Sequence, residues 1–455
     1  MDRLRRSLHL RTVAVIGWVV LTVFVSVTAY AGAQLPCESA RVFQGAAVNS
    51  FVLPYRYVGS KNPEAFQTLS RHIASLVHLE LLFSMLKYGA VGATNLVTAR
   101  DRQCNVDTVI GRVAIGGGPG ALRRGHTLVL VWGRLFVQHD QLYLQTYVRF
   151  LRKGESRPVP ETISVQLKGE GLNLRLGAAL PTQSLAFPPR RISTADLAKV
   201  TSEFKKAMVV RQTPTLKDNT GRSIDFAPNR PFPYYVSKTV QNNEGRWMWI
   251  QPMTGGPAGW VLASSFDKPN TWSLQRWMPE LYFIDAIHGF MRLRARVETS
   301  MTPSSEERVK TWMDADIARF EAAIPAEDAS SVYGVARAMQ GFATWQLRGW
   351  KGRASAAHLF EEVGRRMPDN AAARNLSAIT RPLGTDRQLD GKAIQRLDHG
   401  LIGALALDPK DTFVLGNLDR LYSALRRQYQ PVMPTGLDRR LAIIRAARKR
   451  VLNTE

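Results

Sequence analysis

The sequence predicts a multi-domain fold: an α/β amino-terminal domain, a small all-β barrel and an all-α carboxy-terminal domain. Three observations lead there. Up to about position 207, β-type apolar runs alternate with a long helical pattern; the composition then turns to short strands broken by glycine and proline; from Ser273 the helical period continues to the end. A chain of 455 residues is also too long for one core, because single cores stop growing near 250–300 residues. The expected divisions are 34–207, 208–270 and 271–455, preceded by an export segment at 1–33.

The export segment has the signal-peptide order. Arg3, Arg5, Arg6 and Arg11 stand before an uncharged run at 12–33, and small residues at Ala29, Ala31 and Ala33 suit cleavage after Ala31 or Ala33. The alternative is an uncleaved inner-membrane anchor, since 13–30 approaches the roughly 20 apolar residues that span hydrocarbon. Either way the rest of the chain is expected to work in the periplasm. Gln34-Leu35-Pro36 lacks the small residues of a lipid-attachment site before Cys37. The formal charge is +24, of which 1–33 carries +3, leaving +21 on the remainder. Export redirects that charge away from nucleic acid, which is not an expected partner, and towards anionic envelope surfaces such as lipid headgroups or peptidoglycan carboxylates.

Cys37 and Cys104 are the only cysteines. In an oxidising compartment a lone pair is expected to form a disulfide. It would close a loop of 67 residues and contribute roughly 4 kcal/mol by loop entropy.

In the first domain, Phe51-Val52-Leu53-Pro54 suggests a buried strand over 48–57 that ends at the proline. Asn62-Pro63 opens a helix, with Leu69, Ile73, Leu76, Leu79, Phe83 and Leu86 on one face and Gly89 as its stop. A strand is expected at 106–115, then a glycine turn at 116–120. A hairpin follows over 127–137 and 142–151, turning at His139-Asp140-Gln141. Further strands are expected at 162–167 and 172–179, and Ser193 caps a helix reaching Ala207. The segments Phe51-Val52-Leu53-Pro54-Tyr55, Asp107-Thr108-Val109-Ile110-Gly111-Arg112 and 128–150 loosely resemble the α/β domain of TolB-type and CsgG-type envelope proteins. That resemblance implies a fold type, and as an alternative function a part in secretion or pore assembly.

Between 208 and 270, Val209-Val210-Arg211, Tyr234-Tyr235-Val236, Arg246-Trp247-Met248-Trp249-Ile250 and Gly259-Trp260-Val261 resemble a bacterial SH3 (SH3b) module. The resemblance implies a small barrel with Trp260 in its core, an enlarged loop at 219–233, and a ligand surface for cell-wall peptide or a protein. Tyr234, Tyr235, Trp247 and Trp249 are the candidate ligand-binding residues, because rigid amphipathic rings bind at small entropic cost. Alternation along the Trp247 strand makes some of them core, with Tyr234 or Trp247 favoured for exposure.

Helices are expected near 278–298, 304–323, 329–348, 353–367, 370–380, 392–407, 411–427 and 437–451. Ala356, Phe360, Val363 and Pro368 resemble the second helix of a tetratricopeptide repeat (TPR), as do Leu397, Leu401, Ala404 and Pro409. Leu415, Leu418 and Tyr422 suit the helix after it, Gly341 suits the small-residue position if three residues are inserted after it, and Asp419 stands where glycine or alanine is usual. The TPR-like domain implies a protein partner.

Chemistry-bearing patterns are sparse. The glycines at 116–120 lack the Lys-Ser/Thr of a phosphate loop. His72 and His78 point to different faces of one helix, and His358 beside Glu361 and Glu362 lacks a second histidine. No cysteine follows Cys104, which removes the Cys/His peptidase that often accompanies an SH3b module. The expected protein is a non-catalytic periplasmic binding or scaffold protein with no catalytic residues, no metal and no cofactor, the rival being an unrecognised envelope enzyme.

Overall fold

A computed structural model of the chain describes residues 37, 42, 44, 46–59, 63–87, 92–96, 104–116, 120–154, 158–169, 171–181, 184–207, 209–223, 234–252, 258–262, 274–294, 302–384, 389–429 and 436–454. The export segment, Asn62, Gly89, glycines 117 and 118, and most of the enlarged loop lie outside the described residues. Among the described residues no helix is long and apolar enough to cross a membrane. The molecule has a mixed-sheet region and a helical carboxy-terminal region.

The sheet is built around β1 (Val48–Val58), which pairs in parallel with β2 (Gly92–Leu96) on one side and β3 (Thr127–Gln138) on the other. Helix α1 (Pro63–Lys87) makes the crossover from β1 to β2. The strand expected to end at Pro54 continues to Val58. Its register against β3 shifts between Val52 and Tyr55, so Leu53 and Pro54 sit in a bulge. A bulge asks for no ladder N–H, which is the one place proline fits within a paired strand.

The expected strand at 106–115 is a helix. Helix α2 starts as an α-helical turn, Val106–Val109, and continues as a π-helix, Ile110–Ile115. The reason is local: the Asn105 side chain accepts from the Thr108 backbone N–H at 2.9 Å while the Thr108 hydroxyl accepts from the Asn105 N–H at 2.8 Å. This capping box starts a helix whose Val109, Ile110, Val113 and Ala114 then share a buried face. The Cys37–Cys104 disulfide, with an S–S distance of 2.07 Å, pins the residue before that cap. Cys37, Cys104 and the buried face of α2 form a small core with Phe51, Leu53, Leu128 and Leu130 on one side of the sheet.

Strands β3 and β4 (Gln141–Lys153) form the expected hairpin, in full register from Thr127↔Arg152 to Gln138↔Gln141. Its two-residue turn is His139 and Asp140, with φ of 48° and 56°. Both being positive, this is the turn whose twist matches a hairpin, and Asp is among the non-glycine residues that tolerate it. Short strands β5 (Pro158–Val159), β8 (Leu185–Ala186) and β9 (Arg190–Arg191) pair on β4.

Strands β6 (Thr162–Gly169) and β7 (Leu172–Ala179) are where expected but pair only with each other. Ile163, Val165, Leu167, Leu172, Leu174 and Leu176 alternate onto one buried face. That face packs on the carboxy-terminal helices. Helix α3 (Thr194–Ala207) follows, its Asp196 N–H bonded to the Ser193 hydroxyl.

The segment after 208 holds β10 (Val209–Val210), β11 (Arg222–Ser223) and the antiparallel meander β12 (Tyr234–Asn242), β13 (Gly245–Pro252) and β14 (Gly259–Leu262). The meander extends the main sheet through a Tyr234↔Thr94 pairing of β12 with β2. An Arg211↔Trp260 bridge lays the segment after β10 along β14.

Among the described residues eight helices follow: α4 (Glu280–Arg294), α5 (Pro303–Ala323), α6 (Ser330–Arg348), α7 (Arg353–Arg366), α8 (Ala371–Thr380), α9 (Gly391–Leu407), α10 (Thr412–Gln428) and α11 (Leu437–Thr454). Successive helices pack as neighbours. Ala356, Phe360, Val363, Leu397, Leu401, Ala404, Leu415, Leu418 and Tyr422 are all buried. A Cβ at Gly341 would collide with the ring of Phe360, so the small residue sets the approach of α6 and α7. A short 3₁₀ turn, Gly349–Gly352, lies between the two helices. Asp419 instead pairs with Arg445 and Arg448 of α11 at 3.0 and 2.9 Å, so a side chain that would obstruct close packing serves as a cross-link. Phe187, Phe283 and Phe320, with ring centroids 5.4–5.8 Å apart, join the segment after β8 to α4 and α5, and one apolar core runs from the sheet into the helical pairs.

Candidate functional site

Of the four aromatic residues singled out, Tyr234 and Tyr235 lie on β12, opposite Pro252 and Gln251. Their side chains are outside what the structure describes. Trp247, favoured for exposure, is buried at 1%. It is core, and a ligand cannot reach it. Trp249 is half-buried, and so is Trp260, which was expected inside. The two stand directly opposite on β13 and β14, their rings edge to face at 5.5 Å. Strand alternation accounts for the pairing: Met248, Ile250 and Val261 face the main core, which turns Trp249 and Trp260 to the other side. The aromatic surface that remains therefore centres on Trp249 and Trp260.

A larger opening, which the sequence did not reveal, lies at the carboxyl end of β1. It has a volume of about 1170 Å³. Its walls are the end of β1, the first turns of α1, the start of α2 and the middle of β3 and β4. In a parallel sheet this is the crevice where successive connections leave to opposite sides, here β1 to β2 on one flank with β3 on the other. Arg56, Arg71 and Arg134 line it, with Tyr57, Trp132 and Tyr147 as its rings. Trp132 and Tyr147 stack at 5.7 Å across the hairpin. Arg134 is oriented by Gln145, whose Oε1 accepts from its Nε at 2.7 Å and from the Tyr147 hydroxyl at 2.8 Å. Gln145 in turn donates to the Phe187 carbonyl at 2.9 Å, so one buried amide fixes both groups. Among the described residues Asp107 is the single carboxylate of the lining. The ring of Tyr55 fills the place of a side chain at Gly133, which keeps the β3 wall low.

Between the sheet and α4, polar groups that resemble catalytic sets are enclosed. Ser50 Oγ lies 2.8 Å from His288 Nε2, bridging β1 and α4, with both residues buried. Burial pushes the His288 imidazole down to about 3, so it is neutral and cannot serve as an acid at ordinary pH. Glu280 accepts from the Thr146 hydroxyl at 2.9 Å and faces Arg190 at 3.6 Å. Burial raises its carboxyl above the usual range, the Arg190 charge and the Thr146 bond working against that. These pairs fasten α4 to the sheet. Of the remaining features, His78 is buried and His358 exposed. Gly116 caps α2 by donating to the Gly111 carbonyl at 2.9 Å, and Arg124 lines a separate opening beside Arg152 and Lys410. Among the described residues no three His, Cys, Asp or Glu side chains are grouped to hold a metal ion.

No protein-family model matches the chain, and neither a curated protein nor a solved structure is significantly similar to it.

Proposed function

We propose that the chain is a non-catalytic exported binding or scaffold protein of the cell envelope, with the crevice at the end of β1 as its ligand site. The observation that carries this reading is the lining itself: among the described residues, three arginines and three aromatic rings around one carboxylate, accessible to solvent. Guanidinium groups and ring faces hold a carboxylate- or phosphate-bearing ligand without supplying a nucleophile and its base. Cell-wall peptide, with its carboxylates, has that chemistry. Trp249 and Trp260 on an SH3b-like meander supply a second aromatic contact for the same polymer. The TPR-like helical pairs offer surfaces for a protein partner. Co-sedimentation of the full chain with purified sacculi tests the reading. Wild type is expected to pellet, and Arg56→Glu with Arg71→Glu, or Trp249→Ala, to remain in the supernatant. Pelleting unchanged by either variant, or no pelleting of wild type, removes the cell-wall ligand.

A further inference from the structure

Many arginines of the helical region have carboxylate partners. Arg337 joins Glu321 and Glu362, Arg366 joins Glu362, and Arg319, Arg426 and Arg440 pair with aspartates. At one place, arginines without such partners are gathered around a single opening. A groove of about 520 Å³ runs across α8 between α7 and α9, lined by Arg365, Arg374, Arg381, Arg396 and His399. Only Arg381 has a carboxylate, Glu361 at 2.9 Å. Among the described residues Arg365, Arg374 and Arg396 have none, and all three are exposed.

The groove is a consequence of helix packing. Arg374 and Ala378 of α8, with Arg381 at its C-cap, recur at helical spacing on the side opposite to buried Leu376, Ile379 and Thr380. Flanking glycines let the neighbours close in on that face. A Cβ at Gly364 would meet Ser377 at 2.8 Å, one at Gly400 would meet Ala378 at 2.7 Å, and one at Gly403 would meet the Arg374 guanidinium at 3.1 Å. The floor is thus shallow and nearly side-chain-free, while the cations stand on the walls and at both ends. The opposite face of the array is in use: Asn375 of α8 and Asn417 of α10 bind the β6–β7 hairpin.

We propose that this groove is the docking site for an acidic, extended segment of a partner protein. The spacing of charge argues for a segment over a single anion. Arg374 on α8 and Arg381, the residue that caps its carboxyl end in helical conformation, are seven residues apart, about 10 Å along the axis, whereas alternate carboxylates of an extended chain recur every ~6.6 Å. Two or three acidic side chains on one side of a strand therefore span the arginines, and the open floor receives its backbone. The inference rests on the reading of the helical pairs as a partner-binding surface and gives that partner its chemistry.

The test uses the full chain and a fluorescent, photo-crosslinkable decaglutamate peptide. Wild type is expected to bind with salt-dependent affinity and to cross-link to α7, α8 or α9. Arg365→Glu, Arg374→Glu and Arg396→Glu together are expected to weaken binding at least tenfold. The same charge change at Arg308, Arg427 and Arg439, exposed but outside the groove, is expected to weaken it less than threefold. Equal loss in both variants shows attraction by net charge alone and overturns the proposal. Cross-links confined to α10 or α11 overturn the groove while leaving a partner-binding helical surface, and absence of binding removes both. Inorganic phosphate or phosphatidylglycerol vesicles bound through the groove arginines in place of the peptide would also overturn it. Since the substituted arginines are exposed, circular dichroism of each variant is expected to match wild type.

Discussion

Asn417 is the side chain on which docking of the β6–β7 hairpin to the helices depends most. Its amide treats Gly177 as a neighbouring strand would, accepting from the Gly177 N–H at 2.9 Å and donating to the Gly177 carbonyl at 2.7 Å. It also donates to Asn375 Oδ1 at 2.9 Å, and Asn375 donates to the same carbonyl at 3.1 Å. Both asparagines are fully buried. Asn417→Leu removes three of these bonds at about 1 kcal/mol each, and Gly177, being half-buried, recovers part of the loss from water. The expected cost is about 3 kcal/mol, which is roughly a hundredfold in the opening equilibrium of the hairpin. Native-state hydrogen exchange of 172–179, read by mass spectrometry, should accelerate by that factor while α4 and α5 keep their protection. Asn375→Leu removes two bonds, its own to a carbonyl that keeps Asn417 and the one it accepts from Asn417, and should cost less than the three lost with Asn417. Asn417→Asp can accept but not donate, and should cost at least as much as the leucine. Exchange within threefold of wild type for Asn417→Leu, or the reverse order of the two leucine variants, would refute the assignment.

Trp247→Ala is expected to destabilise by about 3–5 kcal/mol as a buried aromatic, while Trp350→Ala, at 60% exposure, should lie within ~0.5 kcal/mol of wild type; chemical denaturation would show the burial assignment wrong if the two costs were alike. Gly341→Ala gains helix propensity but drives a methyl into the Phe360 ring, for a net loss of about 1–2 kcal/mol; a raised melting temperature would show that α6 and α7 are not in close contact there. The folded His288 value of about 3 lies below its unfolded value, so the unfolded chain takes up the extra proton and stability falls as pH drops from ~6.5 towards 3. The loss is about 2 kcal/mol by pH 5. Glu280, with its raised carboxyl, acts with the opposite sign. The difference between wild type and His288→Gln therefore isolates the histidine, and equal slopes with pH in the two would disprove its burial as a neutral base.

The helices were legible because their signals are local. The expected 304–323 and 353–367 are Pro303–Ala323 and Arg353–Arg366, and Thr302, Asn370, Asp390 and Asp411 cap their helices with side-chain oxygens as such residues do. The 106–115 segment misled because Val106, Val109, Ile110 and Val113 are β-branched while their spacing is helical. The Asn105–Thr108 capping box was the signal that could have decided it. The crevice was not legible at all. Arg56, Arg71 and Arg134 come from a strand, a helix and a hairpin, and only the parallel pairing of β1 with β3 brings them to one opening. Trp247 was misjudged since alternation tells which residues share a face but not what covers it; Met248 and Ile250 are buried on one side of β13 and Trp247 on the other.

The β6–β7 hairpin decides which surfaces of the helical region are open. A pair of helices buries its shared face and leaves two others, and in α8 and α10 one of those is held by the hairpin through Asn375, Asn417 and the apolar row of β7. A second contact fixes the hairpin tip: the Leu389 N–H donates to the Lys168 carbonyl at 3.0 Å. Gly169, at φ 156°, brings backbone so close to Leu389 that no Cβ could be placed there. The face left for the proposed partner segment is the remaining one, where the glycines of α7 and α9 open a floor on α8 and, among the described residues, three arginines stand without carboxylates. The same substitution that frees the hairpin would expose a second, asparagine-lined face. If Asn417→Leu raises decaglutamate binding, the hairpin competes for the partner; if binding is unchanged while 172–179 exchanges faster, docking of the hairpin and occupancy of the arginine groove are independent.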